Sequence, residues 1–300
     1  MSEITIKITT TTKKSIWSGF VNKYRYNENY ITTNNIKSIV VDFSGCSFLE
    51  TFYLVSLACL LEEYYLNNIK IKFIEGGNIE LTEFLSAVNF FTYWSASRDV
   101  NNYIPARINT TLSLWKISEE MISGYASQAQ KYFEGNYLHN KNLLPLATAL
   151  SELFLNISDH SKSNISGFCL TQYYPNVGKI KFAVCDFGIG IPNSINNYLI
   201  NKNESGITDT DCLLKAFEFS FTTQSTPRNR GFGLDTIKSI IQSNNGMLRV
   251  ISNSACYVIE NGNVQCYSIK EPLIGTHFEL VLDVKNLTDK SEELEDFDFS

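Results

Sequence analysis

One segment near the start of the chain constrains the fold more than any other, because residues 51–61 are apolar and uncharged. The run is too short to cross a bilayer and its period is helical, so we predict a buried helix over residues 51–66. Runs rich in β-branched residues at 36–42 and 69–74 predict strands on either side, and residues 78–91 predict a second helix. This alternation predicts a parallel βαβ unit with a right-handed crossover.

Length and composition are those of an ordinary globular chain. The 300 residues are 44% hydrophobic and 19% charged, which is enough for about two domains. The 25 basic and 31 acidic side chains give a net charge of −6, which argues against a nucleic-acid or anionic-membrane partner. No apolar signal region begins the sequence, so we expect a cytoplasmic protein. The seven cysteines lack CxxC spacing and are expected to be reduced core thiols rather than metal ligands or disulfides.

The second half of the chain follows a mixed polar and aromatic junction at residues 92–116. Its patterns predict helices over 118–133 and 143–160, strands over 167–172 and 179–185, helices over 210–219 and 233–243, and strands over 247–251, 255–259, 264–269 and 276–282. Asn261-Gly262 predicts a hairpin turn. The acidic end of the chain predicts a disordered tail.

The first polar motif lies on the helix predicted over residues 143–160. Glu152, Asn156 and His160 are spaced four apart and therefore share one helical face. Taken alone, this stripe is explained equally well as the solvated side of the helix.

The second motif, Asp-Phe-Gly-Ile-Gly-Ile at residues 186–191, follows an apolar strand. Asp186 stands at the strand end, and Gly188 and Gly190 allow the backbone to turn tightly beside a ligand. A structural turn explains a single GxG equally well. The third glycine of a dinucleotide fingerprint is missing here, and the sequence has no GxxxxGK[ST] phosphate loop.

Two further motifs occur later in the chain. The third comprises Ser-Phe-Thr-Thr at 220–223, Arg228, Arg230 and Gly-Phe-Gly-Leu at 231–234, before a predicted helix. The free N–H groups and positive dipole end of a helix suit phosphates, and the arginines add positive charge, although arginines on a solvated loop are also common. The fourth, Gly-Thr at 275–276, by itself indicates only the edge of a sheet.

In this order, the four motifs resemble the nucleotide-binding boxes of the GHKL ATPase superfamily. That superfamily includes gyrase B, heat-shock chaperones, histidine kinases and anti-sigma serine kinases. The resemblance spans residues 117–284 and implies a Bergerat fold, in which an antiparallel-rich sheet carries helices on one face. It also implies ATP and Mg2+ as cofactors. A complete histidine kinase is disfavoured, because no histidine in a phosphoacceptor context precedes Glu152.

The resemblance implies a role for each matched residue. Glu152 matches the catalytic glutamate that orients and deprotonates water, and Asn156 matches the asparagine that coordinates Mg2+. Asp186 matches the carboxylate that accepts a hydrogen bond from the adenine amine, and Thr276 matches a threonine near the adenine. The other cofactor-binding candidates surround the base or wrap the phosphates: Gly188, Gly190, Ile191, Arg230, Gly231, Phe232, Gly233 and Leu234.

The N-terminal unit resembles a STAS domain, the fold of anti-sigma-factor antagonists. A strand that ends in Asp42, a turn, and Glu50-Thr51 at the start of a helix follow the family pattern. The resemblance implies that Thr51 is a candidate phosphoacceptor for a GHKL serine kinase. A threonine that only begins a helix on a STAS-like scaffold explains the same residue.

These observations predict a two-domain α/β protein with a STAS-like α/β unit at 1–110, a Bergerat-fold α/β sandwich at 111–286 that binds ATP, and an acidic tail at 287–300. We expect a signalling GHKL ATPase or a serine/threonine kinase of the anti-sigma type, in which ATP controls docking of two tethered modules. An ATP-gated clamp or scaffold without phosphotransfer is the alternative. A regulatory protein partner is expected, nucleic-acid and membrane partners are not, and a homo-oligomer is compatible with the sequence.

Overall fold

A three-stranded parallel sheet organises the N-terminal unit. The computed structural model of the chain describes residues 2–10, 13–94, 106, 110–117, 122–160, 165, 167–218 and 233–290. The elements of the first unit are β1 (Ser2–Thr9), α1 (Lys14–Lys23), α2 (Glu28–Thr33), β2 (Ile36–Gly45), α3 (Thr51–Leu66), β3 (Lys70–Ile74) and α4 (Ile79–Ala87). The strand order is β1-β2-β3, and both neighbouring pairs are parallel.

The predicted βαβ unit is therefore confirmed as β2-α3-β3, and the predicted bounds of its helix match those of α3. Three elements that were not predicted individually, β1, α1 and α2, precede it in the same unit. Strand β1 alternates isoleucine with polar residues, and Ile6 and Ile8 are fully buried. This period of two is the ordinary pattern of a strand with one buried face.

A five-stranded antiparallel sheet organises the rest of the chain, in the order β4-β5-β6-β8-β7. Its elements are β4 (Trp115–Lys116), α5 (Ile122–Asn136), α6 (Leu144–His160), β5 (Phe168–Tyr174), β6 (Lys179–Asp186), α7 (Gly190–Asn201), α8 (Asp209–Ala216), α9 (Leu234–Ser243), β7 (Met247–Glu260) and β8 (Asn263–Asp283). The four predicted terminal strands are in fact two long ones. The turn between them has φ of 50° at Asn261 and 76° at Gly262, which confirms the predicted hairpin.

Helix α3 lies between the two sheets. Its residues 51–62 are all buried, as a helix without a polar face requires. The Cys59 thiol donates to the carbonyl oxygen of Cys185 in β6 at 3.2 Å, and the ring of Phe52 lies 5.7 Å from that of His277 in β8. Within the described ranges, no helix is long and apolar enough to cross a membrane.

One apolar cluster therefore connects the two units. It runs from Ile39 in β2 through Leu57 in α3 to Ala183 in β6 and Ile251 in β7. Helix α3 therefore belongs to the packing of both sheets. The division near residue 110 separates two sheets that share a core.

Both faces of the five-stranded sheet are consequently covered. Phe182 and Val184 of β6 pack into the cluster formed with helices α5 to α9, whereas Ala183 and Cys185 pack into the cluster that contains α3. This division follows from the alternation of side chains along a strand. The predicted α/β sandwich is confirmed, with helices of the same unit on one face and the N-terminal unit on the other.

Candidate functional site

The carboxylate of Asp186 is buried at the end of β6, where only 2% of the residue is exposed. The backbone N–H of Gly188 donates to its Oδ1 at 2.7 Å, and the backbone N–H of Thr276, its partner residue in β8, also donates to it. Burial raises the pKa of Asp186 to about 7, although the two N–H groups act in the opposite direction. A carboxylate held in this way can accept a hydrogen bond from a ligand amine.

Two glycines allow close approaches in the site, Gly275 to the backbone of Asp186 and Gly190 to the side chain of Asn253. Gly190 has φ of 80° and Gly275 has φ of 86°, both in the left-handed region that favours glycine. A Cβ on Gly275 would lie 2.0 Å from the carbonyl oxygen of Asp186, and a Cβ on Gly190 would lie 2.6 Å from Oδ1 of Asn253. Neither position can accept a larger residue without rearrangement of the turn.

Ser252 joins the second and fourth motifs and was missed by the sequence analysis. Its Oγ accepts from the N–H of Ile191 at 2.9 Å and donates to the carbonyl oxygen of Gly275 at 2.8 Å. The neighbouring Asn253 donates from Nδ2 to the carbonyl oxygen of Ile189 at 3.3 Å. The available signal was a polar Ser-Asn-Ser segment inside an apolar strand, at the point where the register of β7 and β8 shifts.

Helix α6 carries Glu152 and Asn156 one turn apart. Glu152 is only 9% exposed, so the solvated-face interpretation does not fit it. Burial, with a smaller contribution from the charge of Asp235, raises the pKa of Glu152 to about 7. Asp235 lies in the first turn of α9, directly after Gly233 and Leu234. The glutamate of the first motif and the helix start of the third motif are therefore neighbours.

The side chain of Asn156 is oriented by its own helix. Its Nδ2 donates to the carbonyl oxygen of Glu152 at 2.8 Å, which leaves the amide oxygen as the group able to bind a cation. In the described part of the chain, no cluster of three or more His, Cys, Asp or Glu is arranged to hold a metal ion. Mg2+ prefers few protein ligands together with phosphate oxygens, so a single amide oxygen fits a cation that arrives with a triphosphate.

The structure thus forms two groups from the predicted site residues. Asp186, Gly188, Gly190, Ile191 and Thr276 surround the junction of β6 and β8. Glu152 and Asn156 lie on α6, which packs against both α7 and α9, and the start of α9 brings in Gly233 and Leu234. The remaining candidates, Arg230, Gly231 and Phe232, lie outside the described residues.

Thr51 does not belong to either group. It is the first residue of α3 and is only 2% exposed, and its Oγ1 is buried without a hydrogen-bond partner among the described residues. A kinase needs access to the hydroxyl that it modifies. The expectation of an accessible phosphoacceptor at Thr51 is therefore inconsistent with this fold.

Comparison with protein families gives the class of the domain that contains these residues. Residues 142–286 match the family of histidine kinase-, DNA gyrase B- and HSP90-like ATPases, HATPase_c. This segment is a GHKL-type ATPase domain, and it contains every described site residue from Glu152 to Thr276. The match begins just before α6 and does not extend to the N-terminal unit. No curated protein matches the chain.

Proposed function

We propose that this protein binds ATP with Mg2+ and acts in signalling as a GHKL-type ATPase or as a serine/threonine protein kinase of the anti-sigma type. The observation that carries the proposal is the buried carboxylate of Asp186, which two backbone N–H groups hold at the strand junction. A cytoplasmic location is part of the proposal. All seven cysteines are free thiols, which is typical of proteins in a reducing compartment.

In this proposal, Asp186 accepts a hydrogen bond from the adenine amine. Gly188, Gly190 and Ile191 pass beside the base, and Thr276 lies at its edge. The phosphates extend toward the start of α9, at Gly233 and Leu234, where free N–H groups favour an anion. Asn156 would hold Mg2+ through its amide oxygen, and the cation would supply positive charge to offset that of the phosphates.

Glu152 is the proposed general base. In the proposed reaction, its carboxylate takes a proton from water, or from an attacking hydroxyl, as the γ-phosphoryl group is transferred. A base is most effective when its pKa lies near the working pH, and burial with the charge of Asp235 raises the pKa of Glu152 to about 7. Asp235 would therefore tune the base rather than touch the substrate.

The acceptor of the phosphoryl group in this proposal is water or a hydroxyl on another protein, because Thr51 is buried. The N-terminal unit is proposed as a STAS-like regulatory module through which such a protein is recognised. The second candidate function is an ATP-gated clamp that hydrolyses ATP without phosphotransfer. The shared core across α3 favours the clamp, because a structural change at the nucleotide site would be transmitted directly to the N-terminal unit.

Incubation of the full chain with γ-labelled ATP and Mg2+ tests the proposal. Release of labelled phosphate supports hydrolysis, and label on an added STAS-domain protein supports the kinase. Release without any protein label, together with nucleotide-dependent protection of the N-terminal unit from proteolysis, would favour the clamp. Neither release nor transfer from bound ATP would reduce the function to nucleotide binding.

A further inference from the structure

We infer that Arg25, from the N-terminal unit, is a positioning residue that holds the turn after Asp186 and thereby sets the affinity for adenine nucleotide. This inference rests on the proposed function. Its starting point is that the guanidinium carbon of Arg25 lies 4.3 Å from the ring centroid of Phe187. Phe187 directly follows Asp186 and directly precedes Gly188, so it links the two ends of the 2.7 Å hydrogen bond that fixes the carboxylate.

The guanidinium is itself fixed by a second contact within the N-terminal unit. Nε of Arg25 donates to Oε2 of Glu63 at 2.8 Å, and Nη2 donates to Oε1 of the same carboxylate. Glu63 belongs to α3, the helix shared by both sheets. A bidentate pair holds the plane of an arginine in one orientation. Arg25 is therefore a fixed surface on which the ring of Phe187 rests.

The opposite motif is contacted by the same unit. The side-chain amide of Asn22 in α1 donates to the carbonyl oxygen of Pro272 in β8, and the two elements pack against each other. Pro272 lies three residues before Gly275, which must pass close to Asp186. Cys185 and His277, the strand neighbours of Asp186 and Thr276, also contact α3. Adjacent strand residues point to opposite faces of a sheet. The positions of Asp186 and Thr276 are therefore fixed through their strand neighbours, which face the N-terminal unit.

Arg249 provides a matched control. It pairs with Glu279 across β7 and β8, and its side chain is 24% exposed, compared with 22% for Arg25. Its ion pair lies outside the turn that contains Phe187. Replacement of either arginine by alanine breaks a partly buried ion pair of the full-length protein, so a general loss of stability would appear in both variants.

The test measures ATP affinity by calorimetry and amide hydrogen exchange at Gly188 in the nucleotide-free protein. We expect Arg25→Ala to raise the dissociation constant about fivefold, the effect of one lost cation–π contact, and to accelerate exchange at Gly188. Arg249→Ala should change neither beyond its effect on global unfolding. In the background of Phe187→Leu, which keeps an apolar side chain without a π face, Arg25→Ala should have little further effect.

Equal affinity and equal exchange rates in Arg25→Ala and wild type would overturn the inference, as would equal losses in Arg25→Ala and Arg249→Ala. A fivefold loss that persists in the Phe187→Leu background would also overturn it, because Arg25 would then act by another route. Failure of the wild-type protein to bind ATP would contradict the proposed function and the effect of Arg25 on affinity. In that case, faster exchange at Gly188 in Arg25→Ala would still support its role in holding the turn.

Discussion

The two faces of the five-stranded sheet differ in chemistry although alternate residues of the same strands form them. On the helical face, Asp186 is a buried carboxylate with a pKa of about 7. On the opposite face, burial, with a contribution from the charge of Arg25, lowers the pKa of His277 to about 3, so that ring is neutral at physiological pH. One face titrates near neutrality, and the other is a packing surface.

This difference shows how residues on one face of a sheet can position a proposed ligand site on the other face. Asp186 and Thr276 lie on the face that carries the proposed nucleotide site, while Cys185 and His277, one residue away in each strand, contact the N-terminal unit. Strand neighbours cannot move independently of each other. We therefore expect the packing face to position the groups on the helical face. Changes to the helical face should alter turnover, and changes to the packing face should alter stability.

The largest effect is expected for a change confined to the helical face. Glu152→Ala should lower ATP turnover about 10²–10⁴-fold, the usual contribution of a general base, with ATP binding close to wild type. Steady-state kinetics and calorimetry measure the two quantities separately. Ser151→Ala, in which the lost hydroxyl only donates to the carbonyl oxygen of Ala147, is the control and should turn over normally. Wild-type turnover in Glu152→Ala would contradict the assignment of Glu152 as the general base.

A change to the packing face should instead reduce stability. Phe52 is fully buried against His277, and Phe52→Ala should lower the free energy of unfolding by about 3–5 kcal/mol. Leu66→Ala at the end of the same helix, where 46% of the residue is exposed, should cost less than about 1 kcal/mol. Urea denaturation measures both, and a small loss for Phe52→Ala would contradict the shared core.

The smallest of these effects concerns pH. In the proposed reaction turnover requires the ionised form of Glu152, so it should rise with pH through about 7. Asp235→Asn removes a negative charge that raises this pKa, so the rising limb should move to lower pH. The movement is partial, because burial is the larger cause. Profiles of kcat between about pH 5.5 and 8.5 measure the shift. A rising limb at the same pH in Asp235→Asn and wild type would show that the limb reports the titration of another group.

Local patterns predicted much of the fold and of the site. The strand at 36–42 and helix α3 were predicted from short-range periodicity and are confirmed, and the motif at 186–191 does follow a strand, β6. Helix α7 was not predicted, because its first residues belong to the Gly-Ile-Gly turn and the asparagines at 193, 196 and 197 weaken its apolar period. Its start is fixed instead by the contact between Ile191 and Ser252.

The relation between the two units could not be predicted in the same way. The segment at 92–116 was interpreted as a junction, yet β4 within it pairs with β5. Contacts such as Cys59 to Cys185 join residues 126 positions apart, which no local period records. The one available signal was α3 itself, since a helix that is apolar all round needs cover on every side.

Binding of ATP to Asp186→Asn tests the central claim most directly. The amide presents a donor toward the adenine amine where the carboxylate only accepts, so the dissociation constant should rise about 10- to 100-fold. Asp42→Asn is the control, because the carboxylate of Asp42 in β2 also accepts from the N–H two residues later, that of Ser44, at 2.9 Å. Calorimetry with Mg2+ should show wild-type affinity for Asp42→Asn and a severe loss for Asp186→Asn. Wild-type affinity in Asp186→Asn would contradict the assignment of the nucleotide site.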